Sequence, residues 1–361
     1  MSSKTFSSPT ATGWAAAALL SIAMIAALGP GCATSSKPRV AKQTGESVVF
    51  IGEEAASLAH KPLRGVPFVV RSKYLPGADA IEYTDGRDYA VDYEAGTLRR
   101  LAGSRLPDFR TNILFGKDGF DHSKFPGFGN TGFFGFVDYT YSVDPASTWP
   151  VQESQAHLLQ RTQSKLKGGA EVKIVAYGDS ITAGGDATKQ EWIFWRRWAD
   201  SLQARYPRAR VTAVNGATGG DSSVQGLQRL QAKVLMEKPD LVLIGFGMND
   251  HNIGGVPIPQ FEDNLKTMIQ RIRNETGAEV VLFSAFPPND HWKFGSHHMT
   301  DYAEATRRVA RQVECAFADV FSNWQAIASK KKPEDLLGNN INHPNDFGHW
   351  IYFQVLEAMC L

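Results

Sequence analysis

From Val172 to the carboxyl end, short continuous apolar runs alternate with longer stretches in which apolar residues recur every three to four positions. The apolar-rich segments at 172–177, 210–214, 240–246, 279–285 and 316–321 are strand candidates, with the length of buried strands. Helical spacing predicts helices near 191–205, 223–237, 260–275 and 301–314, with a last helix at 347–359, and 152–167 reads as an introductory helix. Strands separated by helices of that length pack as a parallel sheet covered on both faces, joined by right-handed crossovers. The expected fold is therefore α/β: a three-layer α/β/α, flavodoxin-like domain over residues 150–361.

The pattern before residue 145 is different. Short β-branched and aromatic runs at 48–51, 68–70, 83–89 and 90–93 predict strands, and Asp85-Gly86 and Ala95-Gly96 are turn candidates, so hairpins are expected. Residues 47–145 are read as a small β-rich domain, joined to the second domain by a proline-containing connector. Its glycine-threaded aromatics Phe125, Phe128, Phe133, Phe134, Phe136, Tyr139 and Tyr141 could form a sugar-stacking platform. Core and interdomain packing is the preferred reading, because a small β domain needs its aromatics for its own core.

At the amino terminus a single lysine, Lys4, precedes the apolar run 14–28 and then Gly29-Pro30-Gly31-Cys32. The run is short for a membrane span, and the pattern is that of an export signal over residues 1–31. A small residue just before a cysteine resembles the bacterial lipoprotein signal, which implies a lipidated Cys32 and a membrane contact through that anchor alone. Residues 32–46 would then be a polar tether. The implied location is the outer membrane or cell surface of a bacterium, with a periplasmic or secreted form as the alternative if ordinary signal-peptide cleavage occurs nearby.

Composition narrows the partners. The 361 residues are 43% hydrophobic and 21% charged, an ordinary globular balance. Without residues 1–31 the 38 Lys+Arg fall by one, Lys4, to equal the 37 Asp+Glu, so the exported chain is formally neutral. The basic run Lys330-Lys331-Lys332 reads as a solvated helix end, and no nucleic-acid partner is expected. An oxidising compartment would permit a bond between Cys315 and Cys360, but two free buried thiols are the preferred reading. His291, His297 and His298 lack a thiolate or a Glu-x-x-His pattern nearby, so they read as surface histidines and no metal or other cofactor is expected.

The candidate chemistry lies where the strands end. The first run stops at Gly178-Asp179-Ser180, which puts Ser180 on a turn at a strand's carboxyl end, where open α/β sheets bind ligands. After the second strand comes Asn215-Gly216-Ala217-Thr218-Gly219-Gly220-Asp221-Ser222, after the third Gly247-Met248-Asn249-Asp250, and before the last helix Asn340-Ile341-Asn342-His343. Each alone could be only a turn or a helix cap, since Asp, Ser and Asn favour those positions.

Together and in this order, the four segments resemble the SGNH hydrolases of the Gly-Asp-Ser type, from about Val172 to the end. The resemblance implies Ser180 as nucleophile and His343 as its general base. It implies an oxyanion hole from the backbone N–H groups of Ser180 and Gly220 and the side-chain amide of Asn249. The family has an aspartate three residues before the histidine, and here that position is Asn340, whose amide oxygen could still orient the imidazole. Asp335 and Asp346 are the nearby carboxylates that could replace it.

The function implied is hydrolysis of an ester, with a small acyl group such as acetyl on a carbohydrate as the expected substrate. Lipid ester hydrolysis, including lysophospholipid, and acyl transfer to a sugar hydroxyl would use the same residues. A surface glycan-binding lipoprotein with a decayed site is the competing class, opposed by the joint presence of Ser180, Gly220, Asn249 and His343. Trp192, Trp195 and Trp198, at helical spacing after the nucleophile turn, read as core. Oligomeric state is not legible in the sequence.

Overall fold

The protein is described here by a computed structural model covering residues 39–143 and 149–361. The signal, Cys32 and the connector residues 144–148 lie outside the described residues. The β-rich region consists of β1 (Arg39–Val49), β2 (Ala55–Ser57), β3 (Val69–Arg71), β4 (Glu82–Tyr83), β5 (Tyr89–Asp92), β6 (Thr97–Arg100) and β7 (Phe134–Val143). β1, β7, β3 and β4 form one antiparallel sheet in that order, and β2, β6 and β5 form another. Ala95-Gly96 makes the expected hairpin between β5 and β6. Asp85-Gly86 is also a turn, but the strands on its two sides belong to different sheets. β1 starts at Arg39, inside the stretch expected to be tether, because residues 39–43 pair with residues 139–143 of β7.

In the second half, α1 (Gln160–Gly168) precedes β8 (Glu171–Gly178), and α2 (Ser180–Ala183) and α3 (Phe194–Arg205) follow it. Then come β9 (Arg210–Asn215), α4 (Ser223–Lys233), β10 (Leu241–Gly245), α5 (Ile258–Thr276), β11 (Glu279–Phe283), α6 (Met299–Gln312), β12 (Ala316–Ala318), α7 (Val320–Ala328), α8 (Pro333–Leu336) and α9 (Asp346–Ala358). The five strands lie parallel in the order β12-β11-β10-β8-β9. This is the flavodoxin-like order, and its reversal point lies between β8 and β10, the place where such sheets open a crevice beyond the strand ends. The introductory helix is shorter than expected, since 152–159 lacks regular helix apart from one tight turn.

β8 and β10 are apolar throughout their central residues and almost wholly buried, as strands covered on both faces must be. Their ends approach so closely that a Cβ on Gly178 would lie 2.2 Å from the Gly245 carbonyl oxygen. Only glycine lets β8 run to the turn that holds Ser180. Val49, Phe134 and Phe136 of the β-rich sheet belong to the same buried cluster as Val175 and Leu243 of the parallel sheet. Phe134, Phe136 and Tyr139 are buried, Tyr141 is half-buried against them, and Phe125 and Phe128 pack on Leu114, Phe120, Trp292 and Ile341, so these aromatics serve packing.

Candidate active site

Ser180 opens α2 immediately beyond β8. Asp179 caps that helix by accepting the Ile181 N–H at 2.9 Å, and Trp195 of α3 donates its indole N–H to the Thr182 carbonyl at 2.8 Å. Trp195 and Trp198 are buried, as their spacing implied, whereas Trp192 is only half-buried in the turn before α3; Trp195 fixes the short helix from behind. Burial pushes the Asp179 carboxyl up to about 7, because removing a carboxylate from water disfavours its charged form. The Ser180 hydroxyl is half-buried and stands 2.9 Å from His343 Nε2.

The two donor segments meet beside Ser180. The β9–α4 turn is tied to the nucleophile turn by the Thr218 N–H to Gly178 carbonyl bond, 3.0 Å, and by the Asn215 amide donating to the Ala183 carbonyl, 3.1 Å. Gly219 lies against Ser180, where an added Cβ would sit 3.9 Å from that of the serine. Gly220 is exposed, has φ +80 and has open space where a side chain would be, so its backbone stays accessible. Asn249 donates one amide hydrogen to the Asp221 carbonyl at 2.9 Å and has a second to offer. The buried Asp250 carboxylate accepts from the Ser223 and Gly247 N–H groups at 2.9 and 3.0 Å, which locks the two segments together. Ser222, rather than Asp221, caps α4, with Gln225 completing a capping box.

The structure corrects the expected orienter of the histidine. Asn340 is buried with its oxygen facing away from His343, accepting from the Asn130 amide at 3.3 Å and the Asn289 amide at 3.4 Å. The Asn289 amide also donates to the Asn340 carbonyl at 3.0 Å. Asn340 has φ +60, a left-handed conformation that asparagine tolerates better than most residues. The carboxylate facing His343 Nδ1, at 3.1 Å, belongs to Asp186. Asp335 and Asp346 do not face it either. Asp335 accepts from Val49 N and Lys332 N, and Asp346 from the backbone and hydroxyl of Thr188.

The segment presenting His343 is braced from several sides. Asn339 accepts the His343 N–H at 2.9 Å, and Gly338 donates to the His343 carbonyl at 2.9 Å. Asn345 caps α9 through the Gly348 N–H and reaches back with its amide to Ser47 Oγ at 3.0 Å and the Asp335 carbonyl at 2.8 Å. Asn130 donates to the Leu337 carbonyl at 2.9 Å. Strand β1 and the loop before β7 therefore hold the histidine's loop.

Among the remaining expectations, His291, His297 and His298 are exposed and face Asp118, Asp290 and Asp301. Cys315 is a buried free thiol, pushed up to about 12 by burial, while Cys360 is free but exposed rather than buried. Asp186 was missed in the sequence because it lies on the serine's side of the cleft. The legible signal was Gly184-Gly185 just before it, a pair that lets the chain reverse directly after the nucleophile.

Residues 176–351 match the GDSL-like lipase/acylhydrolase family. The esterase TesA of Pseudomonas aeruginosa is 34% identical to this chain over 152 residues, which cover 41% of the chain and 70% of that protein. An arylesterase of Vibrio mimicus is 35% identical over 185 residues, covering 50% and 85%. An acetylxylan esterase of Geobacillus stearothermophilus is 22% identical over 203 residues, covering 52% and 92%.

Proposed function

Because this chain belongs to the GDSL-like lipase/acylhydrolase family and is a hydrolase acting on esters, we propose that Ser180 is its nucleophile, His343 its general base, and an acetyl ester on carbohydrate its substrate. The observation supporting the site is the 2.9 Å approach of Ser180 Oγ to His343 Nε2 beside two donor segments. A neutral imidazole with its bare nitrogen toward the hydroxyl accepts the proton as Oγ attacks the acyl carbon. The oxyanion then forms against the N–H groups of Ser180 and Gly220 and the second amide hydrogen of Asn249, donors already fixed in place. Collapse of the intermediate releases the sugar hydroxyl, which takes its proton from His343, and water repeats the cycle to release acetate.

The substrate class is supported by the acetylxylan esterase similarity and by the open position of Gly219 and Gly220, which leaves room for a polymer beside the serine. The apolar run 14–28 followed by Gly29-Pro30-Gly31-Cys32 supports export and anchoring by lipidation, so that acetylated polysaccharide would be met outside the cytoplasm.

The test is direct. A fluorophosphonate should label Ser180, and Ser180→Ala should lose labelling and esterase activity together. Full labelling of another serine would overturn the nucleophile. Release of acetate from acetylated xylan or mannan, faster than hydrolysis of lysophospholipid or long-chain nitrophenyl esters, is the expected preference, and the reverse order would overturn the carbohydrate reading.

A further inference from the structure

We infer that Asp186 is the carboxylate that positions His343 for catalysis, supplied from the nucleophile's side of the cleft and not from the histidine's own loop; this rests on the Ser180–His343 reading above. A carboxylate can only accept, so the 3.1 Å contact places the imidazole proton on Nδ1 and leaves Nε2 bare toward Ser180. That is the tautomer a general base needs, and the same carboxylate offsets the imidazolium charge that forms during attack.

The chain around Asp186 is built to hold it there. Gly184, at φ +131, ends α2, and the Gly185 N–H folds back onto the Ser180 carbonyl at 2.8 Å. The Ala187 N–H closes a turn onto the Gly184 carbonyl at 2.9 Å, and Thr188 is fastened by backbone and hydroxyl to Asp346 at the start of α9. His349 of α9 bonds the Gly184 carbonyl through Nε2 at 2.9 Å. The turn is thus pinned to the serine's helix at one end and to the helix after His343 at the other. Across the cleft, a Cβ on Gly338 would lie 2.2 Å from the Asp186 Cβ, so the histidine's loop leaves its space to the aspartate.

This accounts for Asn340. With the acid arriving from the opposite loop, the position three before the histidine is released to join Asn130 and Asn289 in bracing the loop. Asp179, beside Ser180, and His349 on α9 are ionisable groups near enough for their charge to couple with His343. Burial holds Asp179 at about 7 and His349 down at about 3. Asp186 is the carboxylate in direct contact with the ring.

The experiment compares the mature protein with its Asp186→Asn, Asp186→Ala, Gly338→Ala, Asn340→Ala and Ser180→Ala variants. Each is assayed with nitrophenyl acetate from acid to alkaline pH after a melting curve confirms folding. Asp186→Asn and Asp186→Ala should lower kcat by about 10²–10⁴-fold with little change in KM, by comparison with the loss of about 10⁴ for Asp to Asn in the serine-protease triad. In Asp186→Ala the acid limb of kcat/KM should move to lower pH, since the imidazolium loses its negative neighbour, and added formate should restore part of the turnover. Gly338→Ala, which keeps the carboxylate but displaces it, should lower kcat in the same direction. The inference is overturned if both Asp186 variants keep kcat and the acid limb within about twofold of the parent. It is equally overturned if folded Asp186→Ala loses activity with no change in the acid limb and no response to formate. Those results alongside an inactive Ser180→Ala would leave the nucleophile standing, whereas an active Ser180→Ala would remove the nucleophile reading itself.

Discussion

Lys331 and Glu46 meet at 2.9 Å with both side chains withdrawn from solvent, although 285 residues separate them. Asp335 stands 3.8 Å from the same ammonium, and Glu46 also accepts from the Tyr139 hydroxyl at 2.6 Å and the Ala59 N–H at 2.8 Å. Strand β1 is thus fixed to the segment leading into His343 by a buried ionic knot. The basic run 330–332, read from the sequence as a solvated helix end, has its middle member in the core.

Removing one charge from such a knot strands the others. Lys331→Met should destabilise the protein by about 3–5 kcal/mol in urea denaturation, because two carboxylates would lose their counter-ion in a dry site. Lys331→Met combined with Glu46→Gln should lose less than the sum of the two single changes. A Lys331→Met protein within about 0.5 kcal/mol of the parent would show that the carboxylates find other compensation.

Asn249→Ala should lower kcat for nitrophenyl acetate by about 10²–10³-fold, the usual effect of deleting an oxyanion donor, while changing KM far less. An unchanged kcat would reduce Asn249 to a turn residue tied to Asp221.

At position 340 the backbone decides the outcome. With φ +60 and a bracing role, Asn340→Gly should fold and keep most of its turnover, whereas Asn340→Val should be strongly destabilised, since a β-branched residue is a poor occupant of that conformation. Asn340→Asp should not raise kcat. A several-fold gain in Asn340→Asp would mean that this side chain reaches His343 after all.

Acid stability offers an independent check on the helix behind the site. His349 is held neutral by burial, with its titration lowered from 6.5 to about 3. Below pH 6.5 the unfolded chain takes up this proton first, so the stabilisation present above 6.5 is lost progressively as pH falls toward 3. His349→Gln should therefore flatten the pH dependence of stability in that window by up to about 1.4 kcal/mol per pH unit. Asp179, raised from 3.8 to about 7, acts in the opposite sense across an overlapping range, but it is present in both proteins and cancels in the comparison. Parallel curves for parent and variant would show that His349 is not the group responsible.

The parallel sheet was legible because its central strands β8 and β10 are buried and read as largely apolar runs, while the half-exposed edge strand β9 was marked by its Val-x-Ala-Val spacing; the elements found at 171–178, 210–215 and 241–245 lie within a residue or so of those expected. Ser180, Gly220, Asn249 and His343 were legible because each follows or precedes such an element in a fixed order. Asp186 was not, since its role depends on a loop-to-loop contact across the cleft that no periodicity records. Residues 39–43 were also misread: their polar side chains look like tether, and only pairing with β7 makes them strand. The burial of Lys331 was illegible for the same reason, its partner being hundreds of positions away.

The bond between the Asn345 amide and Ser47 Oγ spans 298 residues. Contacts of that sequence separation form slowly, because the intervening chain must first be ordered. A nascent chain that has emerged only as far as α3 already contains Ser180, Asp186 and the β7 strand that pairs with β1, but it lacks His343 and the Lys331, Asp335 and Asn345 groups that fasten β1 to the histidine's loop. If Ser180 and His343 act as proposed, catalytic competence arrives only once the segment around α9 has folded, and a product stalled before it would present a serine without its base.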